Sequence, residues 1–187
     1  MSAGWQVAGE LETVPALQRP ELLAAPVHAA LARLPEPDVA RCAVAPIDPG
    51  LADTAALCEH YGIGLQACAN CVVVTGRRAG EQRWAACLVL ATTRADVNGV
   101  VRRRLDVRKA SFASQHDVVA ATSMEYGGIT PLGLPEDWPV LLDPAVVAAG
   151  ELVIGSGIRD SKVLIPGDVL ARLPGAEVLD GLGRPLY

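Results

Sequence analysis

Aromatic residues make up only 4% of this 187-residue chain, and just one of them is a phenylalanine. Because 51% of the residues are nonetheless hydrophobic, the interior has to be aliphatic, filled by valine, leucine, alanine and isoleucine. No apolar run approaches the roughly 20 residues that a bilayer crossing needs, although mean hydropathy is positive at +0.30. The first residues carry acids and prolines where a secretory leader would have a basic start and an apolar core. These absences point to a cytoplasmic protein that does not use a membrane. Lysine is scarce too, with only Lys109 and Lys162 against fourteen arginines.

Several chemical signatures are missing. There is no phosphate-binding P-loop, no Gly-x-Gly-x-x-Gly and no Gly-x-Ser-x-Gly elbow. His28, His60 and His116 are scattered, with no acid or nucleophile at a telling distance. Cys68 and Cys71 form a C-x-x-C, but no second ligand pair of similar spacing exists and the motif leads into a strand, not a helix N-terminus. The odd total of five cysteines (Cys42, Cys58, Cys68, Cys71, Cys87) fits reduced thiols in a cytosolic core. Neither a metal nor an organic cofactor is expected. A net charge of −5 and a pI near 5.2 argue against indiscriminate nucleic-acid affinity, and against DNA as a partner, without excluding one local basic face.

What is present is a long alternation of short elements. Leu22, Leu23, Val27, Ala30, Leu31 and Leu34 fall at helical spacing, so 20–34 reads as an amphipathic helix that Pro26 kinks or breaks. Val39 to Ile47 reads as a strand. Asp53 caps a helix that Gly62 and Gly64 stop. CANCVVVTG reads as a buried strand, and 83–92, beyond the polar loop RRAGEQ, is its antiparallel partner. Asp96 or Asn98 caps a helix through Leu105, and Ser114 with Asp117 has capping-box spacing ahead of another. Strands at 110–113, 138–142, 151–154 and 163–165, helices after Asp143 and Pro166, and a loop-rich tail complete the chain. The pattern is α+β with a curved mixed sheet, in one domain over 1–187, with 1–36 as a helical N-terminal extension.

Thr122 to Asp143, TSMEYGGITPLGLPEDWPVLLD, is the most informative stretch. Paired glycines serve where the chain needs positive φ or where another group comes close to the backbone, and Pro131 stiffens the segment beyond them. Such a loop presents amides to an oxyanion or a polarised carbonyl; the same residues also make a plain tight turn between strands.

This stretch resembles the signature of the YbaK / prolyl-tRNA synthetase-associated editing domain family, in which a Gly-x-x-x-Pro loop precedes a strand ending in Asp. The likeness extends from about Cys58 to about Gly175. It implies a compact, mixed, mostly antiparallel barrel-like sheet surrounded by helices. It also implies hydrolysis of mischarged aminoacyl-tRNA with few protein acid–base groups, the substrate's own ribose hydroxyl or a bound water assisting. Carried over, Gly127, Gly128 and Pro131 form the loop facing the ester carbonyl. Thr130, Asp143, Gly155, Ser156 and Gly157 line the rest of the pocket. Aminoacylated tRNA, and by extension an aminoacyl-tRNA synthetase, are the implied partners. Arg94, Arg102, Arg103, Arg104, Arg108 and Lys109 form the one concentrated basic ridge. Such a ridge is either an ordinary solvated face or a dock for a phosphate backbone.

One departure stands out. Many family members carry a lysine at the start of the strand that here begins Ala69-Asn70-Cys71, and neither Lys109 nor Lys162 falls at that place. Asn70, a neutral donor, is the partial substitute. Two readings result: an aminoacyl-tRNA deacylase acting in trans, or a non-catalytic module that binds tRNA or an aminoacyl or adenosine ligand and has lost hydrolysis with the lysine. A hydrolase of some other small ester is a third. Gly128→Val is expected to abolish activity with folding mostly intact.

Overall fold

The computed structural model describes residues 4–186; the first three residues of the N-terminal stretch and Tyr187 lie outside it. The chain opens with strand β1 (Val14–Pro15), two 3₁₀ turns, α1 (Ala25–Ala32), α2 (Glu36–Val39) and β2 (Ala43–Pro46). Helix α3 (Thr54–Tyr61) leads to the long hairpin of β3 (Ala69–Arg78) and β4 (Glu81–Leu90), and then to β5 (Thr93–Ala95). A π-turn over Val97–Val101 runs into α4 (Arg102–Leu105), followed by β6 (Ala110–Phe112) and α5 (Gln115–Thr122). After the glycine loop come β7 (Val140–Leu142), α6 (Pro144–Ala148), β8 (Leu152–Gly155) and β9 (Ser161–Ile165). The last elements are α7 (Gly167–Leu170), β10 (Ala176–Val178) and β11 (Gly183–Pro185).

The strands form three sheets. One has the order β1-β2-β9-β8, one β10-β7-β4-β3-β6, and β11 pairs with β5. All these pairings are antiparallel except those of β7, which lies parallel to β4 and to β10. The α+β class and the mostly antiparallel pairing therefore hold. A parallel bridge between Cys68 and Val153 ties the start of β3 to β8, joining the two larger sheets at one corner.

The main core fills the space between those sheets. Val44, Ile154, Val163 and Ile165 from one side meet Ala69, Leu88, Val140 and Leu142 from the other, under Val27 and Leu31 of α1. Each Val, Leu or Ile buried here contributes roughly 1.5–3 kcal/mol. The opposite face of the four-stranded sheet takes Leu57 and Cys58 of α3. The opposite face of the five-stranded sheet takes Val101 and Leu105 from the π-turn and α4. The aliphatic core expected from composition is the core observed.

Local chemistry explains most element ends. Asp53 accepts from the amides of Ala55 and Ala56, and Gly62 leaves α3 at φ 67°, where glycine carries no Cβ penalty. Ser114 Oγ accepts from Asp117 N at 3.1 Å to start α5. The β3–β4 turn is tighter than the loop RRAGEQ suggested. Ala79 and Gly80 both have positive φ, a two-residue turn that leaves Arg77 and Arg78 paired with Gln82 and Glu81 in the ladder.

Three expectations need correction. The helix expected over 20–34 is a 3₁₀ turn at Pro20–Leu22 followed by α1, and Pro26 sits in the first turn of α1, where its missing N–H is no loss. The strand expected from Val39 begins only at Ala43, because Glu36–Val39 closes a helical turn. The tail holds two short strands, whose partners β7 and β5 are far away in sequence and invisible to local patterning.

At the C-terminal side, Asp168 is held by Arg41 (2.7 Å) and by Arg172 (3.1 Å), which lower its pKa to about 2. A depressed folded pKa contributes stability above the unfolded value near 3.9, and that contribution disappears as pH falls through about 2. All three side chains are about half exposed, so solvent screening keeps the effect below about 1 kcal/mol. Denaturant titration of Asp168→Asn should show a small loss at pH 7 that vanishes near pH 2; an equal loss at both pH values would exclude the ion pairs as its source.

Candidate functional site

A cavity of about 520 Å³ opens where the two larger sheets part beyond the Cys68–Val153 bridge. Its walls are the N-terminal turn of α3, the first half of β3, the ends of β8 and β9, the glycine loop, and the junction of β6 with α5. The strand geometry explains why it is there. Strand β6 covers β3 only from Val74 to Gly76, with Ala113 N reaching Val73 O at 2.9 Å. Ala86 and Leu88 of β4 bond outward, to Pro139 and Asp143, so the residues of β4 that bond to β3 are the alternate ones, paired with Asn70, Val72 and Val74. The main chain at Cys71 therefore points off the ladder and forms a free edge along the cavity.

Lys162, near the start of β9, is 7% exposed and faces this space. Its Nζ donates to Ala52 O at 3.1 Å, and among the described residues no carboxylate pairs with it. Burial pushes its pKa below the ordinary lysine value. Across the wall, Thr54 Oγ1 donates to Asn70 Oδ1 at 2.8 Å, which leaves the Asn70 NH₂ as a donor. Asp53 is the carboxylate that borders the cavity, and its Oδ1 is occupied as the cap of α3. Arg159 also lines the space, but its guanidinium bonds to Tyr126 O at 3.0 Å and to Pro49 O at 3.1 Å, while its own amide donates to Glu125. Arg159 thus fastens the glycine loop to the turn ahead of α3.

The sequence-derived site residues divide into groups. Gly127, Gly155 and Asn70 border the cavity. Gly127 has φ 90°, whereas Gly128 is a close-approach glycine: a Cβ there would lie 2.5 Å from Ile158 O. The Gly128 amide donates to Glu125 O, and Gly128 O accepts from Gly157 N at 2.7 Å, so its polar groups hold the loop together. Pro131 and Thr130 are buried behind the wall, the Thr130 hydroxyl without a partner among the described residues. Ser156 is fully buried and bonds to Ile158 O and Ser161, a turn residue as its glycine flanks suggested. Gly157, at φ 85°, packs against Ala24. Asp143, expected on the far wall, instead caps α6 and accepts from Gly183 N at 2.6 Å.

The basic ridge does not border the cavity. Gly76 pairs with Ala110 six residues along β3 from Asn70, which puts Lys109 about 20 Å from Asn70 at 3.3 Å per residue. Arg104 is paired with Glu177 and Arg102 Nε bonds to Asn98 O, while Arg94, Arg103, Arg108 and Lys109 are exposed. The C-x-x-C does not close on itself: Cys68 Sγ lies 3.4 Å from Cys58 Sγ, and Cys71 lies one ladder step from Cys87. Burial pushes the Cys42, Cys68, Cys71 and Cys87 thiols up, Cys42 and Cys87 to about 12, away from reactive thiolates. Among the described residues no cluster of His, Cys, Asp or Glu fits a metal ion, and no helix is long and apolar enough to cross a membrane.

A family model described as the aminoacyl-tRNA editing domain matches residues 48–173, about two thirds of the chain. The chain belongs to that family. A solved structure described as a candidate trans-editing enzyme for prolyl tRNA synthetase superposes with a TM-score of 0.69 at 21% identity, over 84% of this chain and 94% of that one. The hypothetical protein APE2540 gives 0.63 at 18% identity, over 74% and 86%. A scaffold used for computational epitope grafting gives 0.67 at 24%, over 87% and 97%. At these identities the likenesses speak for the fold. A search of curated proteins finds no match.

For this editing domain, sequence reasoning set aside its most telling residue. Lys162 does not stand at the family's position on β3, yet it enters the same cavity from β9. The available signal was a lone cation at the head of an otherwise apolar strand, SKVLI. Phe112, Tyr126 and Arg159 were likewise passed over. The Gly128→Val expectation also changes, since any side chain there collides with Ile158 and attacks the seam itself. Gly155 is equally confined, a Cβ lying 2.5 Å from both Gly128 O and Ile129 O. Gly128→Ala and Gly155→Ala should each lower unfolding free energy by about 3 kcal/mol, while Gly150→Ala, with nothing within 4 Å, is the neutral control. Equal stability of all three in chemical denaturation would show that loop and turn are not in contact.

Proposed function

We propose that this editing domain is an aminoacyl-tRNA deacylase, hydrolysing the ester of mischarged tRNA in trans in the cytoplasm. The observation that carries the reading is Lys162, a buried ammonium with a single backbone acceptor inside a cavity whose bordering carboxylate, Asp53, is engaged as the cap of α3. Such a site favours an acceptor-rich group on which negative charge develops, and an ester carbonyl under attack is one.

The chemistry follows from what the cavity holds. Among the described residues no serine or histidine lines it, the Thr54 hydroxyl is bonded to Asn70, and the thiols of Cys68 and Cys71 are held protonated by burial. Water is therefore the nucleophile. Its oxygen adds to the ester carbon and the carbonyl electron pair moves onto oxygen, where the Lys162 ammonium stabilises it. Collapse breaks the bond to the ribose oxygen, which leaves with the electron pair and takes up the proton lost by the water, directly or through the neighbouring ribose hydroxyl. Amino acid and tRNA are released. The glycine loop and the Arg159 clamp keep the wall rigid, so the charge is positioned before the substrate arrives.

The binding-only alternative rested on a missing lysine, and Lys162 favours turnover instead. A panel of mischarged tRNAs should show release of at least one amino acid well above the buffer rate. Salt-dependent tRNA binding with no release from any of them would leave the module as a binder. Lys162→Met should lower kcat roughly 100- to 1,000-fold, with folding stability unchanged or raised because a buried charge is removed. Asn70→Lys in that background places an ammonium in the same cavity and should restore part of the rate. A Lys162→Met protein with full kcat would take Lys162 out of the chemistry.

A further inference from the structure

We infer that Phe112 and Tyr126 form a stacking platform at the cavity mouth for the terminal nucleobase of the substrate. This rests on the reading that the substrate is the aminoacylated end of a tRNA. The chain has one phenylalanine and three tyrosines, so each placement is informative. Among the described residues the exposed large hydrophobics include only two aromatics, Phe112 at 63% and Tyr126 at 56%, and both border this one cavity. The other described aromatics are engaged elsewhere. Trp84 stacks on Trp138 with ring centroids 4.9 Å apart, Tyr61 takes a bond from Asp48 N, and Trp5 packs on the outer core.

Neither ring is mobile chain that happens to be wet. Phe112 is paired to Val74 in the sheet, and the carbonyl of Tyr126 is held by Arg159. Their backbones are fixed while their faces are open, a preorganised surface for a flat apolar partner. Every nucleobase has such a face, and stacking on aromatic side chains is the usual way proteins hold unpaired bases. Gln115 lines the same mouth and is exposed, with an amide able to donate and accept at once along a base edge. The two ends of the cavity then impose a direction. The base rests at the open mouth, and the ester reaches inward to Lys162, which is nine-tenths buried.

The test uses aminoacyl esters of a short oligonucleotide ending in adenosine, and the same esters with an abasic final ribose. Wild-type kcat/KM should fall about tenfold to a hundredfold when the base is removed. The Phe112→Ala/Tyr126→Ala double variant should lose a similar factor on the intact substrate, through KM, and lose nothing further on the abasic one. Equal losses on both substrates would overturn the proposal. So would no loss on either, which would instead make the rings a surface for another protein. Both side chains are exposed, so the variant should fold normally. If the wild type hydrolyses neither ester, the deacylase reading fails. Titration with a non-hydrolysable 3′-amide analogue, intact and abasic, then decides stacking alone: base-dependent affinity lost in the double variant supports it, and base-independent affinity refutes it.

Discussion

An ammonium withdrawn from water with only one carbonyl for company is the feature to which the rest of this structure answers. Moving a charged lysine into a protein interior costs several kcal/mol even after relaxation, and Lys162 recovers only part of that from Ala52 O. The linkage has a definite sign. With its native pKa lowered from 10.5, the charge opposes folding at all pH values below that lowered pKa, and rising pH relieves it. A fold that tolerates this has to be stable elsewhere, and the aliphatic core between the two larger sheets is where that stability lies. Replacing Lys162 by a thioether should cost the fold nothing. On the proposed reading the cation is there for what the cavity binds.

The glycine loop follows from the same demand in a way its motif does not suggest. Its paired glycines look like an array of amides for an oxyanion, yet the Gly128 amide is bonded within the loop. What Gly128 and Gly155 supply is closeness. Two main-chain segments approach until neither has room for a methyl group, and Gly157 N and Gly128 O lock the seam at 2.7 Å. The loop works as a rigid wall, and the positive charge opposite it comes from a side chain. Arg159, a more obvious anion binder by residue type, has a bond from each Nη committed to bracing that wall.

This division of labour marks what could be read from residues in order. Asp53, Ser114 and Asp143 announce their helices because a cap acts within three or four residues, and the β3–β4 hairpin announces itself through its turn. Asp143 also shows the limit: its capping role was legible, and assigning it to the pocket as well was not warranted, since Gly183, forty residues on, claims its second oxygen. Strands β10 and β11 pair with partners far away in sequence, and no local pattern records that. Lys162 was missed for a related reason. A motif ties a function to a position on one strand, whereas the electrostatics of a cavity are indifferent to which strand delivers the charge.

The electrostatics of the whole chain fit this arrangement. With a net charge of −5 the molecule as a whole repels a polyanion, so nucleic acid is not attracted indiscriminately. On the proposed reading, exposed Arg103, Arg108 and Lys109 give a local attraction outside the cavity, Lys109 standing about 20 Å along the sheet from Asn70. At ordinary ionic strength charges so far apart are screened from one another. On the proposed reading the ridge steers the nucleic acid and the field at the ester comes from the desolvated charge of Lys162. Weakening the ridge should change how often substrate arrives, and weakening Lys162 should change what happens once it has.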